Sequence, residues 1–224
     1  SKVANTSATA ASTGADLNGK AAQDAARQIK ERLAAFAASQ YGGEAGDVRF
    51  AADTVFVNAL EVPFPALVQK AYLARVQLWS DGFYATPGLS WDAKTMNGRP
   101  FSYFAYGAAV SEVVVDTLTG EWKLLRADCL YDAGKSLNPA IDLGQVEGAF
   151  IQGMGWLTTE ELWWDDEGRL RTHAPSTYKI PASGDAPLEF NVELLADARQ
   201  DGVIGGSKAV GEPPFMLAIS VITA

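Results

Sequence analysis

The residue best placed for acid–base chemistry is Glu212, which stands between a glycine and two prolines in the segment SKAVGEPPF, residues 207–215. A residue before proline is disfavoured in the helical region, so we expect an extended backbone at Glu212. Proline suits a first helical turn, and the apolar run FMLAISVITA predicts a helix after it. A helix N-terminus favours an ionised carboxylate, the form that a general base needs. Glu212 is therefore the candidate base, and a plain helix cap is the alternative.

Glycines and other small residues supply the candidate ligand-binding surfaces. Gly211 allows close approach to the backbone beside Glu212, and residues 1–15 are rich in Ser, Thr, Ala and Gly. This first stretch is either a flexible tail or a loop whose backbone donors close around a ligand. Gln145, in the first turns of a predicted helix, offers a neutral amide to a ligand, although an ordinary surface glutamine would look the same.

That predicted helix is unusual because it contains Gly144, Gly148, Gly153 and Gly155. Each glycine costs about 0.5–1 kcal/mol relative to alanine inside a helix. We therefore expect the helix to pack closely against another backbone or a cofactor. Tight helix packing alone explains the pattern equally well.

Composition excludes several classes of function. The chain has 224 residues, of which 48% are hydrophobic and 20% charged, so it can bury a sizeable core. A net charge of −9 argues against nucleic-acid partners and anionic membranes, and no apolar run reaches membrane-spanning length. With Cys129 and His173 the only residues of their types, no disulfide framework, cysteine–zinc site or multi-histidine metal site is available. We expect a cytoplasmic protein.

Hydrophobic periodicity predicts an α+β fold. Helices are expected over residues 19–39, 64–79 and 139–156, with Asp16 or Asn18 capping the first and Asn138 capping the third. The pattern of residues 100–132 predicts two long strands joined by a turn at residues 118–120. Further strands are predicted over residues 157–165 and 188–197.

Other titratable residues are weaker candidates. His173 lies in a proline-flanked loop without an obvious nucleophile, and Glu160 and Glu161 are adjacent, so they would point apart in a strand. No P-loop or G-x-G-x-x-G motif is present. The residues alone thus indicate a pocket for a large anionic ligand held by backbone groups, with Glu212 as the acid–base group.

Several collinear segments make a family resemblance specific. They are TAAST, GFYATPGLSWD, RPFSYFAYGAAVSEVVVD, SLNPAIDLGQVEGAFIQGMGWLTTEEL, APSTYKIPA and SKAVGEPPF. Together they resemble the molybdenum-binding subunit of xanthine dehydrogenases, in the xanthine oxidase/aldehyde oxidase family of molybdenum hydroxylases. The resemblance covers most of the chain, from near residue 9 to residue 215.

The resemblance implies roles for matching residues. Glu212 matches the general base, Gly211 the residue beside it at the metal, and Gln145 a glutamine that contacts the pterin. The opening segment matches the lining of the cofactor and substrate pocket and the loop that binds the pterin phosphate: Ala10 and Ala11 for substrate, and Ala11, Ser12, Thr13, Gly14 and Ala15 for cofactor. Gly14 and Ala15 have no side-chain donors, so backbone N–H groups would serve there. The family's molybdenum is held by the pterin dithiolene, not by side chains.

The resemblance also implies an activity. The family members hydroxylate purines with water-derived oxygen, converting hypoxanthine and xanthine to urate, and pass electrons through iron–sulfur clusters and FAD to NAD. The implied partners are a purine substrate, the rest of the molybdenum subunit and an iron–sulfur/FAD subunit, in a hetero-oligomer. Alternatives are an aldehyde oxidase, another N-heterocycle hydroxylase of the family, or a non-catalytic scaffold domain.

We expect residues 1–224 to form one molybdopterin-binding domain, the C-terminal portion of a larger subunit. Further active-site residues would then lie upstream of Ser1, and this chain alone would be inactive.

Overall fold

The structure is a computed structural model that describes residue 10 and residues 12–224; Ala11 and residues 1–9 lie outside the described residues. It forms two compact units. One is Leu17–Pro87, and the other combines the described part of Ser1–Asp16 with Gly88–Ala224. Helices and mixed sheets confirm the predicted α+β class. No helix in the described part of the chain is both long and apolar enough to cross a bilayer.

The unit Leu17–Pro87 packs two helices on a small antiparallel sheet. Its elements are α1 (Lys20–Tyr41), β1 (Arg49–Ala51), β2 (Thr54–Val57), β3 (Leu60–Pro63) and α2 (Phe64–Leu73), with strand order β1-β2-β3. Leu33 and Ala37 of α1, Val55 and Val57 of β2, and Leu67 of α2 are buried in one apolar cluster. The strands are three or four residues long, too short for alternation to reveal them in the sequence.

Two boundary predictions in this unit are wrong. A π-helix over Gly14–Gly19 leads into α1, and Gly19 occupies the cap position, so neither Asp16 nor Asn18 does. Helix α2 ends at Leu73 rather than near residue 79, because Arg75 adopts a left-handed backbone with φ of 62°. An α-helix cannot continue through such a residue.

The other unit is built on a three-stranded sheet. After the short hairpin β4 (Ser90–Asp92) and β5 (Asn97–Arg99), the sheet consists of β6 (Gly107–Val115), β7 (Trp122–Tyr131) and β8 (Glu189–Leu194). The predicted hairpin is confirmed: β6 and β7 are antiparallel, from Gly107 opposite Tyr131 to Val115 opposite Trp122. Strand β8 pairs with β7 in parallel, with Cys129 opposite Val192. The predicted strand at residues 157–165 is wrong, since residues 157 and 158 are helical and the rest forms only an isolated bridge between Trp164 and Leu170.

Helices cover one face of this sheet. Helix α3 (Pro139–Thr158) starts as predicted, with the Asn138 side chain accepting the N–H of Ile141. A 3₁₀-helix over Pro213–Ala218 leads into α4 (Ile219–Thr223). The shared core is apolar: Leu124, Ala127, Cys129, Val146, Phe150, Met154, Leu217 and Val221. Burial raises the pKa of the Cys129 thiol to about 11, so this thiol stays protonated.

The four glycines of α3 differ in what surrounds them. A methyl group at Gly153 would lie 2.6 Å from the carbonyl oxygen of Phe215, so this glycine is what lets α3 meet the Pro213–Ala218 helix. A methyl group at Gly155 would meet Glu160 and Pro181. By contrast, Gly144 and Gly148 face open space. Close packing therefore accounts for two of the four glycines, against backbone at Gly153 and against side chains at Gly155.

This contrast predicts opposite effects on stability from the same substitution. Gly153→Ala should lower the free energy of unfolding by about 1–3 kcal/mol, because the added methyl group overpacks a backbone contact. Gly148→Ala should raise it by about 0.5–1 kcal/mol through helix propensity. Urea denaturation measures both. Equal effects of the two variants would contradict the packing that we describe.

Candidate active site

The segment that carries Glu212 is attached to the end of β7 by its backbone. Ser207 forms a β-bridge with Gly134, and the N–H of Lys208 donates to the carbonyl of Ala133 at 2.9 Å. Gly134 has a φ of 63°, and a methyl group there would lie 2.6 Å from the carbonyl oxygen of Gly206. Only glycine combines this backbone conformation with such close approach.

A buried ion pair reinforces this attachment. The ammonium group of Lys208 contacts the carboxylate of Asp132, and the two side chains are only 8% and 5% exposed. Lys208 Nζ also donates to the carbonyl of Phe104 at 3.1 Å, while Asp132 Oδ1 accepts the N–H of Gly134 at 2.9 Å. Both charged groups thus have further hydrogen-bond partners, which is what a buried pair requires. Neither Lys208 nor Asp132 stands out in the sequence as a site residue.

Two tyrosines hold the next residue, Ala209. The hydroxyl of Tyr103 accepts the Ala209 N–H at 2.8 Å, and the hydroxyl of Tyr131 donates to the Ala209 carbonyl at 2.5 Å. Burial is the main cause that raises the pKa of both phenols above the ordinary value, so both hydroxyls stay protonated. The backbone N–H and carbonyl of Ala209 are therefore both fixed, three residues before Glu212.

Gly211 and Glu212 then meet the predicted cofactor-binding residues. The N–H of Glu212 donates to Ser12 Oγ at 2.8 Å. A methyl group at Gly211 would lie 2.8 Å from Ser12 Oγ and 3.3 Å from Gln145 Oε1. Three predicted site residues far apart in the sequence, Ser12, Gln145 and Gly211, are thus brought together beside Glu212.

The loop around Ser12 is compact. Ser12 has a left-handed backbone with φ of 54°, and Thr13 directs both its N–H and its hydroxyl to the carbonyl of Ala10, at 3.2 and 2.9 Å. Gly14 and Ala15 begin the π-helix. Ala11 lies outside the described residues, and the cofactor and substrate roles of this loop stay predictions.

Ser12, Gln145, Gly211 and Glu212 border an open cavity of about 730 Å³. Trp156 of α3 stacks on Phe215 at its edge, with ring centroids 4.7 Å apart and planes 13° from parallel. Among the described lining residues, Glu212 alone carries a charge; the lining is Ala10, Ser12, Gln145, Gln152, Trp156, Gly211, Glu212, Phe215 and Met216. The cavity therefore offers neutral amide and hydroxyl donors, an aromatic wall and one carboxylate.

The backbone of Glu212 differs from the prediction, whereas its side chain favours chemistry over capping. Its φ and ψ of −105° and −41° are helical rather than extended, because its carbonyl accepts the Phe215 N–H at 3.0 Å to close the first 3₁₀ turn. The carboxylate is exposed and makes no capping hydrogen bond. Since the 3₁₀-helix has only six residues, its dipole contributes little to stabilising an ionised Glu212.

The weaker candidates lie elsewhere in the structure. His173 borders a separate apolar groove with Leu162, Tyr178 and Ile180. Glu160 accepts a hydrogen bond from the hydroxyl of Tyr178, which accounts for its carboxylate. Neither His173 nor Glu160 is among the described residues that line the Glu212 cavity.

Comparisons with known proteins agree with the resemblance in the sequence. The family model for the molybdopterin cofactor-binding domain matches residues 1–187. The chain is 49% identical to xanthine dehydrogenase/oxidase of Rattus norvegicus over 222 residues, and 46% identical to xanthine dehydrogenase of Dictyostelium discoideum over 226 residues. These matches cover 99% and 100% of this chain but only 15% of each relative's length.

Solved structures show the same fold. Quinoline 2-oxidoreductase from Pseudomonas putida 86 matches with a TM-score of 0.75 at 24% identity, over 96% of this chain and 27% of that one. The family model ends at residue 187, whereas the alignments to the two relatives extend over Gly211 and Glu212. The roles of these two residues stay predictions.

The buried ion pair should be the most sensitive contact of the segment that carries Glu212. We expect Lys208→Met to lower the free energy of unfolding by about 3–5 kcal/mol, because it leaves the Asp132 carboxylate buried without a partner. Replacing Asp132 by Asn in the same variant should recover part of this loss. Thermal or chemical unfolding measures each effect.

Arg169→Met is the matched control, since it removes an ion pair with Glu167 in which both side chains are about two-thirds exposed. Exposed pairs contribute less than about 1 kcal/mol. If the Lys208 and Arg169 variants lose equal stability, the ion pair does not anchor the segment.

Proposed function

Because the chain belongs to the molybdopterin cofactor-binding domain family, we propose that it supplies cofactor-binding groups and the general base of a molybdenum hydroxylase. The proposed reaction converts hypoxanthine and xanthine to urate. Each step replaces a carbon-bound hydrogen by a hydroxyl from water and releases two electrons and two protons. The proposed route of the electrons, through iron–sulfur clusters and FAD to NAD, lies on other domains or subunits. We propose a cytoplasmic hetero-oligomer as the setting.

One observation carries the proposal: the Glu212 carboxylate borders the cavity without a hydrogen bond or ion pair to another described residue. A general base must keep its lone pairs available for the substrate proton. A carboxylate used as a cap or in an ion pair would not be available in this way. The hydrogen bond from its own N–H to Ser12 meanwhile fixes the backbone from which the carboxylate projects.

The cavity residues suit a pterin cofactor. Gln145 and Gln152 offer amide donors and acceptors, and the Ser12 hydroxyl, which accepts from Glu212, retains its proton for donation to a ligand. A side chain at position 211 would collide with Ser12, so glycine keeps this edge of the cavity clear. In the described residues, no three His, Cys, Asp or Glu side chains cluster. When bound, the cofactor would accept the two electrons of the oxidation.

In the proposed function, each of these cavity residues would have its own role. Gln145 and Ser12 would hold the cofactor's polar edge, and Gly211 would let the cofactor approach the backbone. Trp156 and Phe215 would exclude water from one side of the cavity. Glu212 would take the proton that is lost as oxygen attacks the substrate carbon.

Experiments can distinguish the proposed function from two alternative functions. A relative that acts on aldehydes or other N-heterocycles would use the same cofactor residues, because substrate choice would lie largely with residues outside this chain. A panel of purines, quinoline and aldehydes separates these activities. A non-catalytic scaffold would need Glu212 only for structure, which its unengaged carboxylate does not favour.

The decisive substitution is Glu212→Gln in the full-length enzyme. We expect turnover at saturating xanthine, expressed per bound molybdenum, to fall by about 10²–10⁴-fold, because this is what a general base contributes. Glu193→Gln, which makes the same change on an exposed residue of β8, should leave turnover unchanged. Metal analysis and steady-state kinetics on both variants provide the measurement.

A Glu212→Gln enzyme that keeps its molybdenum and turns over at the normal rate would contradict the base assignment. It would leave the scaffold interpretation of this segment in place.

A further inference from the structure

The hydroxyl of Tyr103 joins two segments that are distant in the sequence. It donates to Asp16 Oδ2 at 2.6 Å and accepts the N–H of Ala209 at 2.8 Å. Asp16 lies 87 residues before Tyr103, and Ala209 lies 106 residues after it. Both contacts occur within the unit that contains the candidate active site. The single phenolic proton and one lone pair are therefore both engaged.

These two segments carry opposite sides of the proposed site. Asp16 follows Ser12 by four residues, and Ala209 precedes Glu212 by three. A second hydrogen bond, from the N–H of Glu212 to Ser12 Oγ, joins the same segments directly. Two attachments along the same pair of segments fix both their separation and their relative register, which one attachment alone could not do.

Burial keeps the hydroxyl of Tyr103 protonated. Burial raises the pKa of the Tyr103 phenol, and Asp16 raises it further, so the hydroxyl remains a donor at neutral pH. Burial also raises the pKa of the half-buried Asp16 carboxyl, while the bond from Tyr103 opposes that change. Tyr103 is not among the described residues that line the cavity.

We propose that Tyr103 is a positioning residue: it holds Glu212 at a fixed distance from the cofactor-binding loop of Ser12–Ala15. The inference rests on the proposed function above. Tyr103 acts through Asp16 and Ala209, so its loss should misplace the base without removing it. Misplacement of a reacting group by about 1 Å can cost roughly 10²-fold in rate.

The test compares Tyr103→Phe with Tyr131→Phe in the full-length enzyme. Both variants remove one hydroxyl bound to Ala209, but only Tyr103 also reaches Asp16. For Tyr103→Phe, we expect kcat per bound molybdenum to fall by roughly 10- to 100-fold, with KM for xanthine within twofold of the normal value. Tyr131→Phe should lower the melting temperature with a clearly smaller loss of kcat. Equal losses of kcat in the two variants would overturn the proposal.

Combining Tyr103→Phe with Glu212→Gln distinguishes a failure of this inference from a failure of the proposed function. In an enzyme that already carries Glu212→Gln, adding Tyr103→Phe should change kcat by less than twofold, because the base that Tyr103 positions is absent. If Tyr103→Phe multiplies the loss there, Tyr103 acts by another route and the inference fails while the base assignment stands. If Glu212→Gln itself has no effect on turnover, the proposed function fails and the inference falls with it.

Hydrogen–deuterium exchange gives a readout independent of turnover. Tyr103→Phe should speed exchange at backbone amides in both residues 12–19 and residues 209–212. Tyr131→Phe should affect only residues 209–212. Normal exchange of residues 12–19 in the Tyr103 variant would show that the link does not order that loop, and would overturn the proposal.

Discussion

The arrangement of the site depends on one buried ion pair, between Asp132 at the end of β7 and Lys208 in the segment that leads to Glu212. Removing two charges from water is costly, and their attraction offsets that cost only when the geometry is good and further hydrogen bonds are made. Both conditions are met here: Lys208 also donates to the carbonyl of Phe104, and Asp132 also accepts the N–H of Gly134. Such a pair adds little net stability, but it strongly disfavours any other position of the segment, since displacement would leave two unpaired buried charges.

The consequences extend along the chain in both directions from Lys208. Before it, Gly206 and Ser207 can approach β7 only because Gly134 has no side chain. After it, Tyr103 and Tyr131 hold Ala209, and Gly211 passes close to Ser12 and Gln145. The chain thus uses its buried polar contacts to fix the backbone of this segment. The Glu212 carboxylate at its end takes part in none of them.

How much could be predicted depended on how local each feature is. The Asn138 cap and the β6–β7 hairpin follow from neighbouring residues, and both are confirmed. The parallel pairing of β8 with β7, and the contact of Lys208 with Asp132 across 76 residues, leave no local pattern that sequence reasoning can use. The prediction of an extended Glu212 failed for a related reason. The preference imposed by Pro213 is weaker than a 3₁₀ turn closed at Phe215 together with the bond to Ser12.

The character of the cavity limits what this chain can contribute to specificity. Among the described residues that line it, the one charge is negative, so an anionic ligand group would be bound by amide, hydroxyl and backbone donors rather than by cations. Such donors recognise the shape and polarity of a cofactor, not the identity of a substrate ring. The fold is shared with quinoline 2-oxidoreductase at 24% identity, and one fold can carry different functions. In the proposed enzyme, substrate choice should therefore follow residues outside this chain, while Glu212 would transfer the proton and Tyr103 would position Glu212.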